Sequence, residues 1–218
     1  MSLKVYLLGQ FRLQANDQSF NLTSRPAQSL MAYLVLHPGV EHRRETLAAL
    51  LWPDTMDSNA RSYLRQALWR IRKSFSGTSL SWEDFFQIND LSVNFRVDSD
   101  YWLDVDQLVN TALDIKKDEL IEIVSCYKGE LLPGFYDEWI VLERDRINAA
   151  YHQKMSYLLE HFLETGQWGE VVNWSEKWIL NGSSPEPAYR ALMRAYANLG
   201  TQTMVVATYQ RCVEALSR

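Results

Sequence analysis

Slide the 218-residue sequence along itself by 34 positions and its last third falls into register. Gly166 lands on Gly200, Phe162 on Tyr196, Val171 on Val205, Val172 on Val206 and Ile179 on Val213. A period of this length with glycine at the turn marks stacked helix pairs, because one pair cannot bury its apolar face alone. The pattern predicts a first pair at about 139–164 and 168–180, and a second at about 186–199 and 203–216. Pro185 and Pro187 open the second pair. Tyr189, Leu192, Met193, Tyr196 and Leu199 recur at three and four residues, which makes one buried stripe.

The front of the chain reads differently. Val5–Leu8 and Phe11–Leu13 read as a strand broken near Gly9, with a turn at Ala15–Asp17 and a returning strand at Phe20–Leu22. Three helices follow, at about Pro26–Leu36, Arg44–Leu51 and Ser58–Phe75. Pro38-Gly39 stops the first, Trp52-Pro53 ends the second, and Asp57 or Ser58 caps the third. Leu80–Trp82 and Phe85–Ile88 read as extended, and Leu91, Val93, Phe95 and Val97 alternate with period two. The expected fold is α+β: a winged helix with an N-terminal sheet and a C-terminal hairpin at residues 1–97, then an all-α, tetratricopeptide-like domain at 98–218.

Charge divides the chain in a similar way. Met1–Phe75 carries ten Lys/Arg against five Asp/Glu, and Ser76–Arg218 twelve against twenty-two, within a net charge of −5. A local field steers partners whatever the total, so a basic front and an acidic back point to two different partners. The third helix concentrates this basic character. Ala60, Leu64, Ala67, Leu68, Ile71 and Phe75 gather on one side at 100° per residue. Ser62, Arg65, Gln66, Trp69 and Lys73 lie opposite. From Asn59 to Lys73 there are five Lys/Arg and no acid, whereas a merely solvated helix gains from mixed signs four residues apart.

On an isolated helix this face is equally a solvated basic surface. As the third helix ahead of a hairpin, it is the face expected to enter the major groove of double-stranded DNA, with Arg suited to guanine and Gln to adenine. Arg61, Arg70 and Arg72 at its edges, with Arg43 and Arg44 at the start of the second helix, are the expected phosphate contacts. Arg25 is a weaker candidate of the same kind. Glu83, Asp84 and Asp90 in the hairpin repel phosphate, so the helix is expected to supply most of the affinity; Asn89, Ser92 and Asn94 are candidate neutral contacts.

Other chemistries find little footing. Cys126 and Cys212 offer no framework of disulfides, which suits a reducing, cytoplasmic compartment. Nothing at the N-terminus reads as a signal peptide, and no apolar run of about 18 residues spans a membrane. The four histidines show no metal-ligand spacing. Asp98, Asp100, Asp104 and Asp106 read as solvated turns and helix starts, without the glycine of a calcium loop. No phosphate loop or nucleophile elbow is present, so neither catalysis, metal nor cofactor is expected. Most of the eight tryptophans read as packing residues, Trp52 beneath the second helix among them.

Particular stretches carry a family likeness. Val5-Tyr6-Leu7-Leu8-Gly9-Gln10-Phe11, Leu47–Pro53 (LAALLWP), and Asn59-Ala60-Arg61 leading to Leu64-Arg65-Gln66-Ala67-Leu68 resemble the OmpR-like DNA-binding domain of SARP-type regulatory proteins. Tyr127–Trp139 (YKGELLPGFYDEW) resembles the signature of the bacterial transcriptional activator domain, and Ala191–Tyr196 and Tyr209–Cys212 are similar to its later helices. The resemblance implies sequence-specific binding to bacterial promoter DNA, often at direct repeats by tandem copies or a homodimer, with recruitment of RNA polymerase. It also implies that the chain is the front part of a larger protein with a sensor or nucleotide-binding domain. The rival reading is a scaffold or regulatory module that no longer binds DNA.

Overall fold

A computed structural model describes residues 2–113, 115–181 and 185–217. They form two compact units, Met1–Gln107 with Leu131–Arg144, and Leu108–Glu130 with Asp145–Arg218. No described helix is long and apolar enough to cross a membrane.

In the first unit, β1 (Leu3–Tyr6), β2 (Arg12–Ala15) and β3 (Gln18–Phe20) form an antiparallel meander. The segment expected as one broken strand is therefore a hairpin: Gly9 sits at φ +85° between β1 and β2, so that Val5 pairs with Leu13. Asn16 and Asp17, at φ +47° and +68°, make the two-residue turn that joins β2 to β3, and both are among the residues that tolerate this conformation. Helix α1 spans Arg25–Leu36, followed by a two-residue strand β4 (His42–Arg43). Helices α2 (Arg44–Leu51) and α3 (Asp57–Phe75) come next.

The expected cap of α3 is not made. Met56 holds the N-cap position without a side-chain bond, and Asp57 lies within the first turn, where its charge favours the helix dipole.

A hairpin of β5 (Phe86–Ile88) and β6 (Ser92–Phe95) joins β4 in the sheet order β4-β6-β5. The side chain of Asn89 makes its tip by accepting from the backbone N–H of Leu91 and Ser92 at 2.8 and 2.7 Å. Leu80–Trp82 is not a strand: the chain enters a 3-10 turn at Trp82–Asp84, and the Trp82 ring stacks on Phe86 with centroids 4.1 Å apart. The expected alternation holds for Val93 and Phe95, both fully buried, while Leu91 at the tip and Val97 beyond the strand are exposed.

β7 (Tyr101–Leu103) lies parallel to β1 at the other edge of the first sheet, and α4 (Asp104–Val109) follows it. Residues Leu131–Arg144 also belong to this unit. The sequence division at residue 97 and the spatial division thus differ, because β7 pairs with β1 and the Leu131 segment joins Leu7 and Leu8 just beyond it.

That attachment explains the Tyr127–Trp139 signature. Leu131 bridges Leu8, and the N–H of Leu132 donates to the carbonyl of Leu7 at 3.0 Å. Leu132 is buried at φ +46°, a left-handed conformation costing a non-glycine residue roughly 1–2 kcal/mol. Arg144 holds it there, its guanidinium donating to the carbonyls of Leu131, Leu132 and Phe135 at 2.8, 2.7 and 2.9 Å. Arg144→Ala orphans these acceptors and is expected to lower stability by about 2–4 kcal/mol, read as the midpoint of urea unfolding. Arg144→Lys, with one ammonium for a three-way fork, should recover only part of this.

In the second unit, α5 (Lys117–Cys126), the 145–164 part of α6 (Glu138–Glu164), α7 (Trp168–Asn181), α8 (Glu186–Asn198) and α9 (Gln202–Leu216) supply the helical stack. The repeat is reproduced bond for bond. The N–H of Gln167 donates to Phe162 at 2.9 Å and that of Thr201 to Tyr196 at 3.0 Å, 34 residues on. Gly166 and Gly200 sit at φ +65° and +73°, the left-handed position that closes such a helix end. Glu176 of α7 and Arg211 of α9 form a two-pronged ion pair at 2.8 and 2.9 Å.

Candidate nucleic-acid interface

Helix α3 buries one face and presents the other. Ala60, Leu64, Ala67, Leu68, Ile71 and Phe75 are at most 6% exposed, the six positions that the periodicity assigns to the core. Phe75 anchors the C-terminal end among the rings of Phe20, Trp82, Phe85 and Phe86. Leu47 and Leu51 of α2 are buried beside it in the same unit, while Leu50 is half-buried. The inward face fixes the rotation of the helix, so the outward face follows from the core.

Ser62, Arg65, Gln66, Trp69 and Lys73 are all exposed. Trp69 is 56% exposed, and the Lys73 ammonium lies 4.8 Å from its ring centroid. A large aromatic ring left in water beside a cation is poor packing for an isolated domain, but it is a ready contact for a partner with apolar edges and negative charge.

The arginines expected at phosphates separate into two groups. Arg43, Arg65 and Arg70 are exposed, and no ion pair among the described residues engages them. Arg61 lies 3.6 Å from Glu45 and Arg72 lies 3.2 Å from Glu83. Arg44 is half-buried. Its guanidinium donates to the carbonyl of Asn89 at 3.0 Å and its backbone N–H to that of Leu91 at 2.9 Å, so it ties the start of α2 to the hairpin tip.

The acidic residues of the hairpin prove to lie in two places. Glu83 and Asp84 are in the 3-10 turn ahead of β5, and only Asp90 lies at the tip. Donation from the Ser81 hydroxyl, a backbone N–H and the nearby Arg72 hold the Glu83 carboxyl below its usual range. Asn89 is spent on the tip, Ser92 donates to Glu41, and Asn94 is half-buried.

Two features of this unit escaped the sequence reading. Tyr63, three residues before Gln66 and seven before Arg70, is 46% exposed. With Arg25, Trp52, Gln66 and Arg70 it lines a cleft of about 410 Å³. Its signal was helical spacing, obscured because Tyr63 falls between the apolar and basic stripes. Trp52, expected as a buried packing residue, is half-buried at the edge of this cleft, 6.1 Å from the Tyr63 ring. The second feature is a cluster of Tyr33, His37, His42 and Trp139. The two imidazoles lie 5.9 Å apart, Tyr33 is within 5.2 Å of each of the other three rings, and burial lowers the His42 pKa.

A three-helix unit with a β-hairpin, ahead of stacked helix pairs, defines a class: a winged helix joined to a helical repeat domain. Residues 112–218 match the family described as the bacterial transcriptional activator domain. The fold is similar to that of Mycobacterium tuberculosis EmbR, solved in complex with a low-affinity phosphopeptide. The TM-score is 0.71 at 17% identity, over 99% of this chain and 60% of that one. The chain thus spans three fifths of the EmbR chain's length. No curated protein matches it. The chain thus joins a winged helix to a helical part that matches the bacterial transcriptional activator domain.

Proposed function

We propose that this chain is a SARP-type transcriptional regulator that binds promoter DNA in the bacterial cytoplasm by laying α3 in the major groove, and that it activates transcription by contacting RNA polymerase. The observation that carries the reading is the exposed, acid-free face of α3. Ser62, Arg65, Gln66, Trp69 and Lys73 face the bases, while Arg43, Arg70, Arg61 and Arg72 hold phosphates, the last two after leaving Glu45 and Glu83. Arg44 positions the hairpin and touches the backbone through the edge of its guanidinium. The winged helix within residues 1–97 carries DNA, and the helical part within 98–218 carries protein contacts. No step of this activity calls for a cofactor or catalytic group.

Selection from random duplex DNA tests the proposal. A motif should be enriched, and its affinity should fall with salt at about 0.9 log units per log unit of salt for each phosphate neutralised. Half-sites recurring at a fixed spacing would mark binding by tandem copies or a dimer.

The carboxylates on Arg61 and Arg72 favour a second reading, a scaffold whose winged helix has no DNA partner. In that case no sequence is enriched, and the protein passes through heparin at moderate salt.

A further inference from the structure

Trp69 sits where an aromatic ring gains little from the fold. It is 56% exposed on α3. Among the described residues its indole N–H finds no acceptor and its ring makes no ring-to-ring contact. The core-facing side of the helix is complete without it, since six other side chains fill that side. What meets the ring is a cation, the Lys73 ammonium, 4.8 Å from the centroid. That attraction draws the indole toward the next helical turn and orders it before a partner arrives.

We infer that Trp69 reads a thymine by its C5 methyl group, an inference that rests on α3 lying in the major groove. Each base shows a different edge there. Guanine shows two acceptors, adenine an acceptor and a donor, and cytosine a donor. Thymine alone shows an apolar group, the methyl, beside the acceptor O4. An indole has an apolar ring, one N–H donor and no acceptor. It therefore complements the thymine edge on both counts. Against cytosine it meets a donor with a donor, and against either purine its ring has no apolar partner.

The surroundings of the ring select nucleic acid as the occupant. Arg65, Arg70, Arg72 and Lys73 are exposed around it, and no acid occurs from Asn59 to Lys73. An apolar protein surface would strip these cations of water without pairing them, whereas phosphates flank every base edge in the groove. Trp69 follows Arg65 by one helical turn, about 6 Å along the axis, which spans about two base pairs. The thymine is therefore expected about two base pairs from the position that Arg65 reads.

The duplex selected by the full chain, with each thymine replaced in turn by deoxyuridine, tests this. The exchange removes the methyl and keeps O4. At one thymine of the binding site it should weaken the wild type about three- to tenfold, the scale of one methyl withdrawn from an apolar contact. Trp69→Ala should bind the unmodified duplex more weakly by at least that factor and be indifferent to the exchange there. Trp69→Phe, which restores an apolar ring, should keep part of the methyl's effect, and Arg65→Ala all of it. Trp69 lies outside the core, so its variants should keep the wild-type circular dichroism and melting temperature.

A selected motif without thymine, a wild type indifferent to every exchange, or a methyl effect that persists in Trp69→Ala overturns the inference while leaving α3 on DNA. Failure to enrich any sequence instead removes the DNA reading, and the thymine assignment falls with it.

Discussion

Arg65→Ala is expected to lower affinity for the selected DNA sequence by about 1–3 kcal/mol and to flatten base preference at one position of the motif. Arg65 is exposed on α3 one helical turn before Trp69, and no ion pair among the described residues engages it. Its fork can meet a base edge without first breaking another bond. Arg70→Ala should behave differently, weakening all sequences alike and reducing the salt slope by about one phosphate contact. Arg61 and Arg72 should show smaller losses, because each must exchange a carboxylate, Glu45 or Glu83, for a phosphate. Titrations of the four variants against the motif and a scrambled duplex, at two salt concentrations, separate these roles. If Arg65→Ala weakens both duplexes equally, Arg65 is a backbone contact and another residue of α3 reads the sequence.

The differences among these arginines could not be seen in the sequence, and the reason is physical. Helical periodicity reports which residues share a face, so the buried and exposed faces of α3 and the 34-residue frame of α6–α9 were legible at once. Periodicity says nothing about what a long charged side chain meets across the fold. Arg44 and Arg72 look alike in sequence, yet one fastens the hairpin tip and the other lies against Glu83. Short strands were equally silent. β4 has two residues and β7 three, too few for alternation to register, and only their partners β6 and β1 define them. Asp104 shows the same limit in a single side chain. By its neighbours Asp98, Asp100 and Asp106 it read as a solvated turn, but it is 1% exposed.

The burial of Asp104 predicts a large effect of its own. Its carboxylate accepts from the backbone N–H groups of Leu7, Leu8 and Val105 at 2.9–3.0 Å, and so locks the end of β1 to the start of α4. Burial pushes its pKa up from 3.8 to about 6, against the pull of those donors. Below the lower value both folded and unfolded chains hold the proton. Between the two values only the folded chain does, so folding grows weaker as pH rises through the interval and levels off above about 6.

At about 1.4 kcal/mol for each unit, this is a loss of about 3 kcal/mol. Asp104→Asn removes the titration, and its stability across the same interval should be flatter than that of the wild type. Asp104→Ala leaves three buried donors without acceptors, each costing about 1–3 kcal/mol. Its deficit should be about 3–5 kcal/mol at acid pH and narrow toward neutrality, where the wild type has lost its own share. Urea unfolding of the three proteins from pH 4 to pH 7 measures this directly. Should the wild type instead gain stability relative to Asp104→Asn as pH rises, the three N–H donors outweigh burial, and Asp104 is held ionised as a permanent anionic latch.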